Sequence, residues 1–127
     1  MVDRVLRNAQ HAQRIGLGLF FVVVGGAQFL VVGTDALALL FTQLGLPLGF
    51  LLAWLIPFVE IVCGVALMCQ YYVRHTAWPL ILISLGMAFT LYWYGPGSLQ
   101  GSPNWIQVVM HVVLALTLFV LALSAKR

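Results

Sequence analysis

The sequence predicts an all-α fold, a four-transmembrane-helix antiparallel bundle with a short outer interfacial helix, built as one membrane domain over residues 1–127. Three observations predict it. The chain is 63% hydrophobic and only 7% charged. A soluble domain carries about 25% charged residues, so too few polar groups remain here to cover a water-facing surface. Four apolar runs, 15–32, 48–68, 77–94 and 106–123, hold about 18–21 residues each, close to the roughly 20 that cross a hydrocarbon core as a helix. Finally, all six basic residues fall on one side of a four-span arrangement. Arg4, Arg7 and Arg14 precede the first span, Arg74 lies between the second and third, and Lys126 and Arg127 follow the fourth. Three spans would split them.

In chain order, residues 1–14 form a basic amphipathic prelude. Val2, Val5, Leu6, Ala9 and Ala12 follow helical spacing, and such a segment either lies along the inner leaflet or frays as a basic tail. The first apolar run is longer than the core of a cleavable signal, which favours a retained span. Segment 34–46 is too short to cross and rich in Ala and Leu. It reads as a short interfacial or re-entrant helix starting near Asp35, with Gly45 and Pro47 ending it and turning the chain into the second span. The glycines and prolines of 95–104 predict a turn-rich outer lid. By the positive-inside rule both termini face the cytoplasm. Tyr71, Tyr72 and Trp78 then mark the inner interface, and Trp93, Tyr94 and Trp105 the outer one. A bacterial or archaeal inner (cytoplasmic) membrane is the expected location.

The composition also excludes functions. The net charge of +3 is accounted for by topology, and no basic patch interleaved with aromatics is present to grip nucleic acid. Cys63 and Cys69 are six apart, about 240° around a helix, so they form neither a redox pair nor half of a metal site. Gly18 and Gly25 share one face of the first span, where small residues let membrane helices approach closely.

Glu60 is the one acid well inside an apolar run. A carboxyl at bilayer depth costs a few kcal/mol, and such groups face a protein interior or a water-filled cavity. Glu60 is therefore either a functional group or a structural acid bonded to a neighbouring helix. Pro57, one turn away, predicts a kink and a freed carbonyl. Gln28 and His111 each lie five residues from the outer end of their spans, about 7–8 Å deep. Gln107 stands one turn above His111, and Tyr92 adds a hydroxyl. Glu60, His111, Gln28, Gln107 and Tyr92 thus form a candidate polar pocket opening outward. Apolar walls, a few hydrogen-bond donors and a proton-exchanging His or Glu suit a quinone or lipid headgroup. The alternative is that these groups simply bond helix to helix, at about 0.6 kcal/mol each on average. His11 and His75 sit at the inner surface, which leaves His111 without a partner for haem or a metal. No catalytic residue, metal site or intrinsic cofactor is expected.

The ordered pieces Arg14-Ile-Gly-Leu-Gly-Leu-Phe-Phe, a glycine at 25 or 26, Leu44-Gly-Leu-Pro47, Val59-Glu60-Ile-Val-Cys-Gly64 and Arg74 resemble the DoxX family of small four-helix membrane proteins over almost the whole chain. The resemblance implies varied roles. Some members are subunits of quinone-linked oxidoreductases, including thiosulfate:quinone and terminal oxidase systems. Others are membrane partners of redox-defence enzymes, and similar eukaryotic proteins assist assembly of other membrane proteins. The family often places Lys where this chain has Gln28, and an acid near Asn104 and Gln107. Those departures remove charge and imply a supporting role.

The expected function is therefore a DoxX-like, quinone-linked electron-transfer subunit without a redox centre of its own. Its partners would be membrane lipids and other membrane subunits of a complex, with no nucleic acid. An accessory, structural or chaperone-like protein is the alternative, and a small transporter or proton pathway a weaker one.

Overall fold

The computed structural model describes residues 1–94 and 105–125. Among them the fold is all helical. α1 spans Val2–Ala27 and runs into a π-helical turn, Gln28–Val32. α2 is the short helix Thr34–Gln43. α3 (Gly49–Met68), α4 (Val73–Tyr94) and α5 (Trp105–Ser124) complete the chain. Four of these helices are long and apolar enough to cross a membrane, α1 with its π turn, α3, α4 and α5, and α2 is the fifth, short one. The predicted lid at 95–104 and the cations Lys126 and Arg127 lie outside the described residues.

Each span buries one stripe and presents the rest outward. In α3 the buried residues are Gly49, Ala53, Pro57, Glu60, Gly64 and Leu67, a spacing of threes and fours that marks one helix face. Phe50, Trp54, Phe58 and Val62 lie on the exposed side. Such outward apolar surface is what a bilayer solvates. The packing is uneven. α1 lies chiefly on α3 and α4 on α5, α3 and α4 meet less closely, and α1 barely touches α5. One apolar cluster joins all four spans through Leu17, Phe21, Leu67, Leu80, Leu118 and Leu121. A second, Leu37, Phe41, Leu44 and Ala53, seats α2 on the start of α3.

Segment 1–14 and the first span are one continuous helix. No turn separates the prelude from the span, and Gln13 donates from Nε2 to the Thr117 carbonyl of α5 at 3.3 Å. α4 likewise begins before its apolar run, at Val73, where the Thr76 hydroxyl donates to the Tyr72 and Val73 carbonyls.

Gly45, at φ 74°, ends α2. The N–H groups of Gly45 and Leu46 donate to the carbonyls of Thr42 and Phe41, both at 3.0 Å, a Schellman closure. α3 ends the same way, with Gln70 and Tyr71 donating to Leu67 and Ala66 at 3.2 and 2.8 Å. Here the left-handed position, φ 61°, is held by Gln70, a residue with a Cβ penalty of about 1–2 kcal/mol in that conformation. Gln70→Gly is accordingly expected to stabilise the bundle by about 1 kcal/mol, read as a raised midpoint of thermal unfolding in detergent. Gly45→Ala is expected to cost about as much.

Candidate functional site

The site is built on the contact between α1 and α3. Gly25 of α1 is buried, and a Cβ there would lie 2.7 Å from the Pro57 carbonyl oxygen, 2.9 Å from Ile61 Cγ1 and 3.2 Å from Glu60 Cβ. The two backbones approach this closely only because position 25 has no side chain. One turn further along α1, Gln28 Nε2 donates to Glu60 Oε2 at 2.9 Å. Glu60 is 5% exposed. A carboxyl group at mid-span thus has its partner on the neighbouring helix, and the bond joins residues 32 apart in sequence.

Gln28 also opens the π turn. Its carbonyl accepts from the Gly33 N–H, five residues on, at 3.0 Å. π turns recur at functional positions because they insert a residue and shift the helix face that follows. Nothing in the apolar sequence Gln28–Val32 signals this turn in advance. The outer amide atom of the same side chain, Gln28 Oε1, is buried without a hydrogen-bond partner among the described residues.

α3 runs without interruption through Pro57. Proline has no N–H, so the carbonyl of Ala53 loses its helical partner there, and the carbonyl of Pro57 itself faces Gly25.

The other three candidate residues belong to the second helix pair. His111 is half-buried and its Nδ1 lies 2.8 Å from the Gln107 carbonyl of its own helix. A carbonyl can only accept, so Nδ1 is the donor. Gln107 is exposed. Tyr92 is 45% exposed and packs edge-on against Trp105, ring centres 5.6 Å apart. The structure brings Gln28 and Glu60 into direct contact. It holds Tyr92 against the start of α5, and engages His111 with the backbone of its own helix.

Two further features lie along α4. Ser84 and Thr90 of α4 are both buried, and the Thr90 hydroxyl donates to the Met87 carbonyl at 3.1 Å. Beside them, α3 and α4 flank a groove of about 520 Å³ with Ile56, Val59, Leu82, Gly86 and Thr90 among its walls. The groove lies on the other flank of α3 from Glu60, which faces α1. Among the described residues no three His, Cys, Asp or Glu side chains gather as a metal site, and Cys63 and Cys69 are free thiols.

No curated protein and no solved structure matches the chain significantly. A family model, DoxX, matches residues 9–93. That match runs from the second turn of α1 through almost all of α4, with Gln28, Pro57, Glu60 and both helix-ending turns inside it, and it covers well over half of the sequence. This integral membrane protein belongs to the DoxX family.

Proposed function

We propose that the protein is a small subunit of a larger quinone-linked electron-transfer assembly, contributing a quinone- or lipid-binding flank and no redox centre of its own. The observation that carries this reading is the groove between α3 and α4. Its volume, about 520 Å³, falls in the roughly 300–1,000 Å³ range of small-molecule sites. Its walls are apolar, with the Thr90 hydroxyl as the polar group among them. It opens between α3 and α4, which pack less closely than α1 on α3 or α4 on α5, so an isoprenoid chain could enter from the bilayer. Glu60 serves a different purpose in this reading. Bonded to Gln28 and packed behind Gly25, it holds α1 on α3. The termini would face the cytoplasm, by the distribution of Arg4, Arg7, Arg14 and Arg74.

Purification from native membranes in mild detergent, with mass spectrometry of proteins and lipids that accompany the chain, tests this directly. Stoichiometric redox subunits and bound quinone are expected. Gly86 supplies the matched variant, because it is exposed, lines the groove, and a Cβ there meets nothing within 4 Å. Gly86→Leu is expected to fill the groove and lower bound quinone about tenfold, the equivalent of about 1.4 kcal/mol, with an unfolding midpoint that does not fall. A chain that purifies without redox subunits or quinone would overturn the proposal.

The accessory or chaperone-like reading has one observation in its favour, since the Gln28–Glu60 bond runs helix to helix. It predicts that Glu60→Gln changes the yield of the complex and leaves quinone turnover alone. A proton pathway would require flux into liposomes holding this chain alone.

A further inference from the structure

At the end of the bundle that carries the basic residues, the first turns of α1, the α3–α4 turn and the last turn of α5 enclose a cavity of about 840 Å³. Arg7, His11 and Arg14 line it from α1, and Arg74 and His75 from the start of α4. No carboxylate lines it among the described residues. In the sequence these residues are divided between the basic prelude and the loop joining the second and third spans. The continuity of α1 through residue 14 and the tight turn before Val73 bring them together.

Arg14 is the informative member. It is only 8% exposed, an uncommon state for an arginine without a counter-charge. Its Nη2 lies 3.1 Å from His11 Nδ1. A guanidinium has no acceptor, so the imidazole nitrogen accepts. That contact fixes one arm of the fork and supplies no charge. Arg14 Nε is buried with no hydrogen-bond partner among the described residues. A buried, hydrogen-bond-deficient cation flanked by two more arginines is a strained arrangement for an isolated chain, and an anion relieves it.

We propose that this cavity binds a phosphate group, gripped by Arg14 and neutralised by Arg7 and Arg74. The guanidinium fork matches phosphate oxygens two at a time. The cavity sits where the spans give way to charged ends, with Leu121 on its wall. That is where the headgroup of an anionic phospholipid lies, and basic pockets between membrane helices bind such headgroups. A free phosphate or soluble phosphate ester presents the same chemistry.

The test uses the full chain in bilayer nanodiscs of mixed phosphatidylcholine and phosphatidylglycerol, with native mass spectrometry of the lipid retained on release. Inorganic phosphate is titrated in parallel as a competitor. The wild type is expected to retain phosphatidylglycerol selectively. Arg7 and Arg74 are exposed, so Arg7→Gln and Arg74→Gln leave the packing alone, and each is expected to lower selectivity about fivefold. Arg14→Gln is expected to abolish it. Arg4 is exposed at the same end and does not line the cavity, so Arg4→Gln is expected to change nothing. Selectivity unaffected by millimolar phosphate identifies a lipid headgroup. Millimolar phosphate that raises the unfolding midpoint of the wild type but not of Arg74→Gln, without lipid selectivity, identifies a soluble anion. Equal retention of the two lipids with no effect of phosphate overturns the proposal. So does an Arg4→Gln effect as large as those of Arg7→Gln and Arg74→Gln, which would reduce the preference to bulk charge.

Discussion

Gln28→Leu is expected to destabilise the bundle by about 2 kcal/mol, because it leaves the buried Glu60 carboxyl without its 2.9 Å partner. The magnitude follows from what is left behind. A hydrogen bond between membrane helices averages only about 0.6 kcal/mol, but a buried polar group stripped of its partner adds a desolvation cost of about 1–3 kcal/mol. Glu60→Leu should cost less than Gln28→Leu, since it leaves an amide in place of a carboxyl. The double variant, Gln28→Leu with Glu60→Leu, should recover most of the loss, because apolar side chains of similar size satisfy the site as well as the pair does. Unfolding in mixed micelles across this cycle measures the coupling. Losses that simply add would show that the two residues act separately. Glu60→Gln keeps an acceptor in place and should be nearly neutral for stability, which makes it the right variant for asking whether the carboxyl has any role in turnover.

The pair also shows what could be read from the sequence. Glu60 stands out by chemistry alone, since an acid inside an apolar run demands a partner wherever it points. Gln28 could be placed at a compatible depth by counting residues. What counting cannot supply is rotation about a helix axis. Gln107, His111 and Tyr92 have depths that allow convergence with Glu60, yet they belong to the α4–α5 pair, while Glu60 faces α1. The spans themselves were legible because lipid imposes length and hydropathy directly. Their packing was less so, because in lipid the apolar faces look alike and small residues decide which faces meet. Gly18 and Gly25 carried that signal for α1. Nothing comparable marked the α3–α4 groove, whose walls are ordinary apolar residues, or the basic cavity, whose members are spread over α1 and the start of α4.

Those glycines make the other large effect. Gly18 and Gly64 are each other's close contact. A Cβ at Gly64 would lie 2.7 Å from the Gly18 carbonyl oxygen and 3.1 Å from Val22 N, and a Cβ at Gly18 would lie 2.6 Å from the Gly64 carbonyl oxygen. Backbone atoms cannot rotate away as a side-chain end can, so even alanine forces α1 and α3 apart. Gly64→Ala and Gly18→Ala are each expected to cost about 2–3 kcal/mol, at the upper end of overpacking substitutions. Gly16 and Gly26 are the internal controls. A Cβ meets nothing within 4 Å at either, so alanine there should gain up to about 1 kcal/mol from helix propensity. Equal effects at the four positions would mean that the close approach of α1 to α3 is not what holds them. Gly25 links this contact to the acid, because a Cβ there would meet the Pro57 carbonyl oxygen and the Cβ of Glu60 itself. Widening the gap with Gly25→Ala should stretch the Gln28–Glu60 bond. In that background Gln28→Leu should cost much less than in the wild type, since a carboxyl that has already lost its donor loses nothing more when the donor is removed.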